Sequence, residues 1–182
     1  MSFELQVWRH PRPEGAAGRC IGAGTDLFVH RRRAKRLARR IQQVARRQRL
    51  PHHVVTSPLQ RCADVGRWLR RWGWRHEIDP ALRELDFGVW DGRAWASISK
   101  AEIDAWVADF GAYSPGNGES LNTLLTRVVR FQTQTPFAVS HGGWMLARRW
   151  LDEHRLDELP EASTWPAPPA YNDCWAFVTR QP

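Results

Sequence analysis

Apolar and polar residues alternate along this chain in two distinct periods. Residues 3–8 set Phe3, Leu5 and Val7 on one side at a spacing of two, which predicts a first strand. Arg9 and His10 stand at its end, and Pro11 and Pro13 stop it. Residues 30–50 change the period. Ala34, Leu37, Ala38, Ile41, Val44 and Ala45, with Gln48 closing the row, recur at three and four and predict one helix face. The β-branched run within 52–57 reads as a second strand. Pro58 then opens a helix in its first turn with Ser57 as N-cap, and Leu59, Cys62, Val65, Gly66 and Leu69 line its inner side. Residues 74–79 read as a third strand, ended by Pro80.

Residues 95–113 and 119–134 read as two helices divided by the turn-rich stretch 114–118. Residues 136–140 form a short buried strand, 141–154 the helix that follows it directly, and 174–180 a closing strand. Strands alternating with helices predict an α/β protein with a mostly parallel sheet covered on both faces. In such folds the loops at the carboxyl ends of the strands gather the functional residues. No repeat and no low-complexity linker breaks this order, so residues 1–182 are expected to form a single domain.

Composition narrows the classes. Hydrophobic residues make up 42% and charged residues 25%, the balance of a folded rather than a disordered chain. No run approaches the roughly 20 apolar residues that cross a bilayer. The first ten residues lack the basic region and apolar core of a signal peptide, so no membrane association and a cytoplasmic location are expected. Cys20, Cys62 and Cys174 are too few and too scattered for a disulfide framework or a CxxC knuckle, and the histidines outside the strand-end motifs have no ligand spacing. Neither a metal nor a cofactor is expected. The net charge is +8, and its cations are arginines except Lys35 and Lys100. Arginine donates paired hydrogen bonds to phosphate, although GC-rich coding produces the same preference.

Four stretches put anion-binding or proton-handling residues at strand ends or helix starts. They are Arg9-His10, the segment 57–61 ending in Arg61, Glu84 in the run 82–88, and Ser140-His141-Gly142-Gly143. Each alone is ordinary, since a single strand-end histidine or turn glutamate is usually structural. Together, on one rim of a parallel sheet, they suit a phosphomonoester. The dianion needs charge-assisted donors, phosphorus needs an in-line nucleophile such as a neutral imidazole nitrogen, and the leaving alkoxide needs a proton. A helix starting near Gly142 would also turn free N–H groups toward the anion.

In this order, Arg9-His10, Ser57-Pro58-x-x-Arg61, Glu84 before Phe87-Gly88, and Ser140-His141-Gly142 resemble the histidine phosphatase superfamily, which includes the cofactor-dependent phosphoglycerate mutases. The resemblance implies a three-layer α/β/α sandwich around a six-stranded, mostly parallel sheet. It implies His10 as the residue that takes the phosphoryl group, with Arg9, Arg61, His141 and Gly142 around the phosphate. Glu84 would be the proton donor, His141 a further member of the catalytic set, and no metal would be needed. Residues 9–27 and 83–92 look most like the α-ribazole phosphatase group, which implies α-ribazole 5′-phosphate, in cobalamin biosynthesis, as the substrate. Another small sugar or nucleoside phosphate remains the alternative.

Some positions depart from the family pattern. Pro11 follows the histidine where glycine is usual, and Pro13, Ala16 and Trp95 stand where mutases carry polar or cationic groups, so mutase activity is not expected. Residues 31–49 hold ten basic residues and no acidic one. A basic amphipathic helix of this kind binds nucleic acid or an anionic surface in some proteins. With no interleaved aromatic for base stacking, a solvated face on a core helix is the expectation here, and nucleic-acid binding is not. Trp90 and Trp95 are the candidates to wall a pocket for a flat base. The sequence leaves the oligomeric state open, a dimer included.

Overall fold

The computed structural model describes residues 3–155 and 157–179. The strands are β1 (Phe3–Arg9), β2 (His53–Thr56), β3 (Arg75–Ile78), β4 (Phe137–Ser140) and β5 (Cys174–Thr179). The helices are α1 (Arg31–Gln48), α2 (Gln60–Arg71), α3 (Lys100–Ala108), α4 (Leu121–Arg130) and α5 (Gly142–Glu153). The sheet runs β3-β2-β4-β1-β5, parallel except for β5, which pairs antiparallel with β1.

Alternating side chains divide the interior into two apolar layers. Val54, Phe137, Val139 and Trp8 face α1 and α2, meeting Leu37, Ile41, Val65 and Leu69. Leu5, Val7, Val55, Ala138 and Phe177 face α4 and α5, meeting Leu124, Leu125, Trp144 and Met145. The expected three-layer α/β/α sandwich is therefore present, with a sheet that differs in strand count. Among the described residues it has five strands, not six. The stretch 79–98 runs through three short 3-10 turns instead, and 160–173 carries Pro160, Pro166, Pro168 and Pro169, which lack the N–H a ladder needs.

Three further expectations change. The helix expected over 95–113 is a 3-10 turn at 95–97 followed by α3, which starts only where Ser99 and Glu102 form a capping box. The helix expected over 119–134 is α4 alone, capped by the Ser120 side chain. Ser57 is not the N-cap of α2. That position belongs to Leu59, and the first helical N–H, on Gln60, is satisfied by Asp26 Oδ1 at 2.7 Å from a distant loop. Arg180, the expected end of the last strand, lies outside the described residues.

α1 buries Ala34, Leu37, Ala38, Ile41 and Ala45 while its arginines stay exposed. Among the described residues no helix is long and apolar enough to cross a membrane.

α2 crosses the sheet over His76. The His76 Nε2 meets the Thr56 hydroxyl at 2.8 Å, and a Cβ on Gly66 would stand 2.2 Å from that nitrogen, so only glycine lets the helix pass. Burial, then Arg70 and Arg67, lower the His76 pKa to about 4. The unfolded chain takes this proton near pH 6.5. Stability is therefore full above that value and is lost as pH falls toward 4. The whole gap corresponds to about 3 kcal/mol, which partial exposure reduces to about 1–2 kcal/mol. Urea unfolding at pH 7.5 and pH 4 should show wild type losing that much more than His76→Gln; equal losses would remove His76 as the cause.

Candidate active site

The carboxyl ends of β1, β4 and β2 lie level, because Arg9 pairs with Ser140 and Val139 with Thr56. The next residues, His10, His141 and Ser57, therefore leave the sheet side by side. The backbone continues the ladder briefly, with His10 N–H donating to Ser140 O at 3.1 Å and Ser57 N–H to Val139 O at 3.1 Å. The two imidazole rings stand 5.0 Å apart, edge to face. Both histidines are buried.

Their hydrogen bonds assign the ring protons. His10 Nδ1 lies 2.8 Å from the carbonyl oxygen of Pro11, which only accepts, so this nitrogen carries the proton and Nε2 keeps a lone pair. The proline that replaces glycine after the histidine preserves this contact, since it removes an N–H and not a carbonyl. For His141 the order is reversed. Arg61 Nε donates to Nδ1 at 3.2 Å, so the proton sits on Nε2 and faces the Ser57 hydroxyl at 2.8 Å. Burial holds both histidines well below the ordinary pKa, and the Arg61 guanidinium is the next cause for each. Both are neutral near pH 7.

Arg61, on the first turn of α2, is 1% exposed. Besides His141 it donates Nη1–H to Thr25 O at 2.9 Å and Nη2–H to Gly22 O at 2.8 Å. Three of its five N–H groups are thus engaged, and two remain. Arg9 stacks over the Tyr171 ring at 4.1 Å and donates to the carbonyl of Pro169. Its buried Nε has no partner among the described residues. Neither guanidinium forms an ion pair among those residues, so both charges are left for an anion.

Glu84 accepts from its neighbour Leu85 N–H at 3.0 Å and from Gly143 N–H at 3.1 Å. The start of α5 thus holds the glutamate with one of its free N–H groups. A Cβ on Gly143 would come within 2.3 Å of Glu84 Oε1, and one on Gly142 within 3.2 Å of Arg9 Cζ. These two glycines let a carboxylate and a guanidinium both approach the helix start. Arg127 holds the Glu84 segment from behind. It pairs with Glu119 at 2.7 Å and donates to the carbonyls of Ala81 and Arg83 at 2.9 and 2.8 Å.

All six residues singled out in the sequence, Arg9, His10, Arg61, Glu84, His141 and Gly142, therefore converge. The sequence did not single out Tyr171, Arg127 or Gly143 for these contacts, and it read Ser57 as a helix cap rather than the partner of His141. Only Gly143 carried a signal, as half of a Gly-Gly pair at a helix start. Trp90 is 1% exposed, with Nε1–H on Glu102 at 3.0 Å, and so belongs to the core rather than a pocket wall. Trp95 is 39% exposed and packs edge-on against Phe87.

A neutral nucleophilic nitrogen, two uncancelled guanidiniums and a carboxyl group on one rim make a site for a phosphate ester. Residues 5–159 match the family model of the histidine phosphatase superfamily (branch 1), and the chain belongs to that superfamily. Over 100 residues the chain is 33% identical to the bifunctional protein Rv2228c of Mycobacterium tuberculosis, a match taking in 48% of this chain and 27% of that protein. The chain thus spans only 27% of the length of the curated relatives it matches. Its fold is similar to that of a mycobacterial glucosyl-3-phosphoglycerate phosphatase, at 21% identity over 98% of this chain and 91% of that one, with a TM-score of 0.74. It is equally similar to the α-ribazole phosphatase from Shigella flexneri, at 24% identity over 98% and 95% of the two chains, with a TM-score of 0.74.

The ring assignment has a direct spectroscopic consequence. In 15N–1H spectra His10 should carry a proton on Nδ1 alone at pH 6, and its titration midpoint should move upward in Arg61→Met, which removes a cation that opposes protonation. A doubly protonated His10 at pH 6.5 in the wild type would contradict the assignment.

Proposed function

We propose that the protein is a phosphoric monoester hydrolase of small phosphorylated molecules, acting through a phosphohistidine on His10 without a metal ion. The observation that carries this reading is the His10 ring itself, buried and neutral, with Nδ1–H held by Pro11 O and the Nε2 lone pair free. In the first step that lone pair attacks phosphorus, a P–N bond forms and the P–O ester bond breaks. Glu84, entering as the acid, gives its proton to the departing alkoxide. In the second step the Glu84 carboxylate takes a proton from water as its oxygen attacks phosphorus. The P–N bond breaks, and its electron pair returns to His10. Arg9, Arg61 and His141 bind the phosphoryl oxygens and stabilise charge in both transition states, with the start of α5 at Gly142 alongside.

For the substrate we propose α-ribazole 5′-phosphate, a reaction of cobalamin biosynthesis in the cytoplasm. Support comes from the Glu84–Gly92 run, which is similar to that of the α-ribazole phosphatases, together with the shared fold of the Shigella enzyme.

The test begins with an aryl phosphate in the presence of chelator. Wild type should turn over and His10→Ala should not, and brief mixing followed by denaturation should trap an acid-labile phosphoryl group on the wild type alone. Activity in His10→Ala equal to wild type would overturn the nucleophile. Glu84→Gln should slow esters of poor leaving groups far more than aryl esters; equal slowing would remove its role as acid. Arg61→Ala should lower kcat/KM by about 2–4 kcal/mol of transition-state stabilisation. A panel led by α-ribazole 5′-phosphate, with sugar and nucleoside phosphates beside it, then tests the substrate, and preference for another member would replace it.

A further inference from the structure

We propose that Asp91 is a positioning residue that sets the Arg61 guanidinium through the loop of residues 20–26, an inference that rests on the phosphatase reading above. The two oxygens of the Asp91 carboxylate each take one backbone N–H of that loop. Gly22 N–H donates to Oδ1 at 2.9 Å and Gly24 N–H to Oδ2 at 2.7 Å. The carbonyls of the same loop face the other way, where Gly22 O and Thr25 O accept the two Arg61 Nη–H groups at 2.8 and 2.9 Å. Gly22 is thus held at both ends, by Asp91 through its N–H and by Arg61 through its C=O. Turning one peptide turns the other contact with it.

The close approach is built into the sequence. A Cβ on Gly22 would fall 2.5 Å from Leu85 O and 2.7 Å from Asp91 Oδ2, and one on Gly24 would fall 3.1 Å from Asp91 Oδ2. Two further contacts fix where Asp91 stands. Cys20 N–H donates to Arg93 O at 2.8 Å, and Gly92 N–H to Cys20 O at 2.7 Å. The loop also reaches the segment of the proposed acid, because Ala23 N–H donates to Leu85 O at 3.0 Å and Leu85 N–H to Glu84 Oε1 at 3.0 Å.

The chemistry explains why the carboxylate stands one peptide away. A carboxylate directly on Arg61 would cancel the charge that a phosphate needs and would repel the incoming dianion. Carbonyl dipoles orient the guanidinium and leave its net charge intact. Residues 22–25, which present them, are a run of small residues, and a bidentate, charge-assisted contact is a stronger tether for it than neutral hydrogen bonds alone.

The experiment is a double-mutant cycle on the full chain, read by inorganic phosphate titration and by kcat/KM for an aryl phosphate. Asp91→Ala should weaken phosphate binding and lower kcat/KM by about tenfold or more when Arg61 is present. In the Arg61→Ala background the same change should add less than about twofold. Equal losses in the two backgrounds would overturn the proposal, because they would make Asp91 a general structural residue. Asp91→Asn, which keeps one acceptor and the side-chain shape, should give an intermediate loss in a protein with a native circular dichroism spectrum. The Arg61 Nε–H cross-peak supplies a readout independent of turnover. It should shift in Asp91→Ala and Asp91→Asn, and an unmoved peak would refute the positioning role even in a protein that hydrolyses nothing. Activity that survives in His10→Ala would instead strike the phosphatase mechanism and leave the Asp91 result standing.

Discussion

The site depends on a cation that the fold buries without a counter-ion among the described residues. Arg61 is almost wholly removed from solvent and is met by two carbonyls and an imidazole nitrogen. Removing a guanidinium from water costs several kcal/mol, which neutral dipoles offset only in part. The remainder has two effects. It opposes protonation of His10 and His141, both of which burial already keeps neutral. In the proposed reaction it also leaves a field that a phosphate dianion would relieve on binding. One feature thus adds to burial in keeping a nitrogen lone pair available and, in the proposed mechanism, would attract the group that nitrogen attacks.

That arrangement needs a scaffold exact at three strand ends. β4 lies between β1 and β2, so the two histidines and the Ser57 segment that leads to Arg61 arise from adjacent strands at one level. Apolar layers on both faces of the sheet fix that level, since a one-residue slip would turn Phe137 and Val139 from one layer into the other. The carboxyl group comes from outside the sheet, in a stretch without regular strands, and so needs its own supports. Gly143 holds its side chain, and Arg127 holds the carbonyls on either side of Leu82.

The parts of this design that were legible in the sequence are those with a local cause. α1, α4, β4 and α5 each bury one face or both, so their periods report their packing. Five of the six convergent residues stand at strand ends or helix starts, which are themselves local signals, and Glu84, in an irregular stretch, is legible only through its spacing to Phe87-Gly88. Misreadings arose where a tertiary contact outbid a local preference. Trp95 and Ile98 have helical spacing with the residues after them, yet Ile98 is buried with Cys20 and Trp90 in a small separate cluster, and the chain turns there. Ser57 has the right chemistry for a cap, but Asp26 supplies that acceptor from 34 residues away and the Ser57 hydroxyl faces His141. Asp91 binds a loop 69 residues earlier, and no spacing rule reaches that far.

Charge separates the two levels of reading further. The chain carries +8, and its densest run of cations lies on α1, where nine basic residues follow from exposure opposite a buried apolar face. Exposed charges of this kind act in high dielectric and are screened within about 10 Å at ordinary ionic strength. Arg9 and Arg61 are two arginines among many by composition, but one is half-buried and the other fully buried, and no carboxylate among the described residues pairs with either. An electrostatic site in this fold is therefore marked by burial and by missing partners rather than by local abundance of charge. By the same logic the carboxylate proposed to serve the guanidinium, that of Asp91, is joined to it through the Gly22 backbone rather than by a direct ion pair.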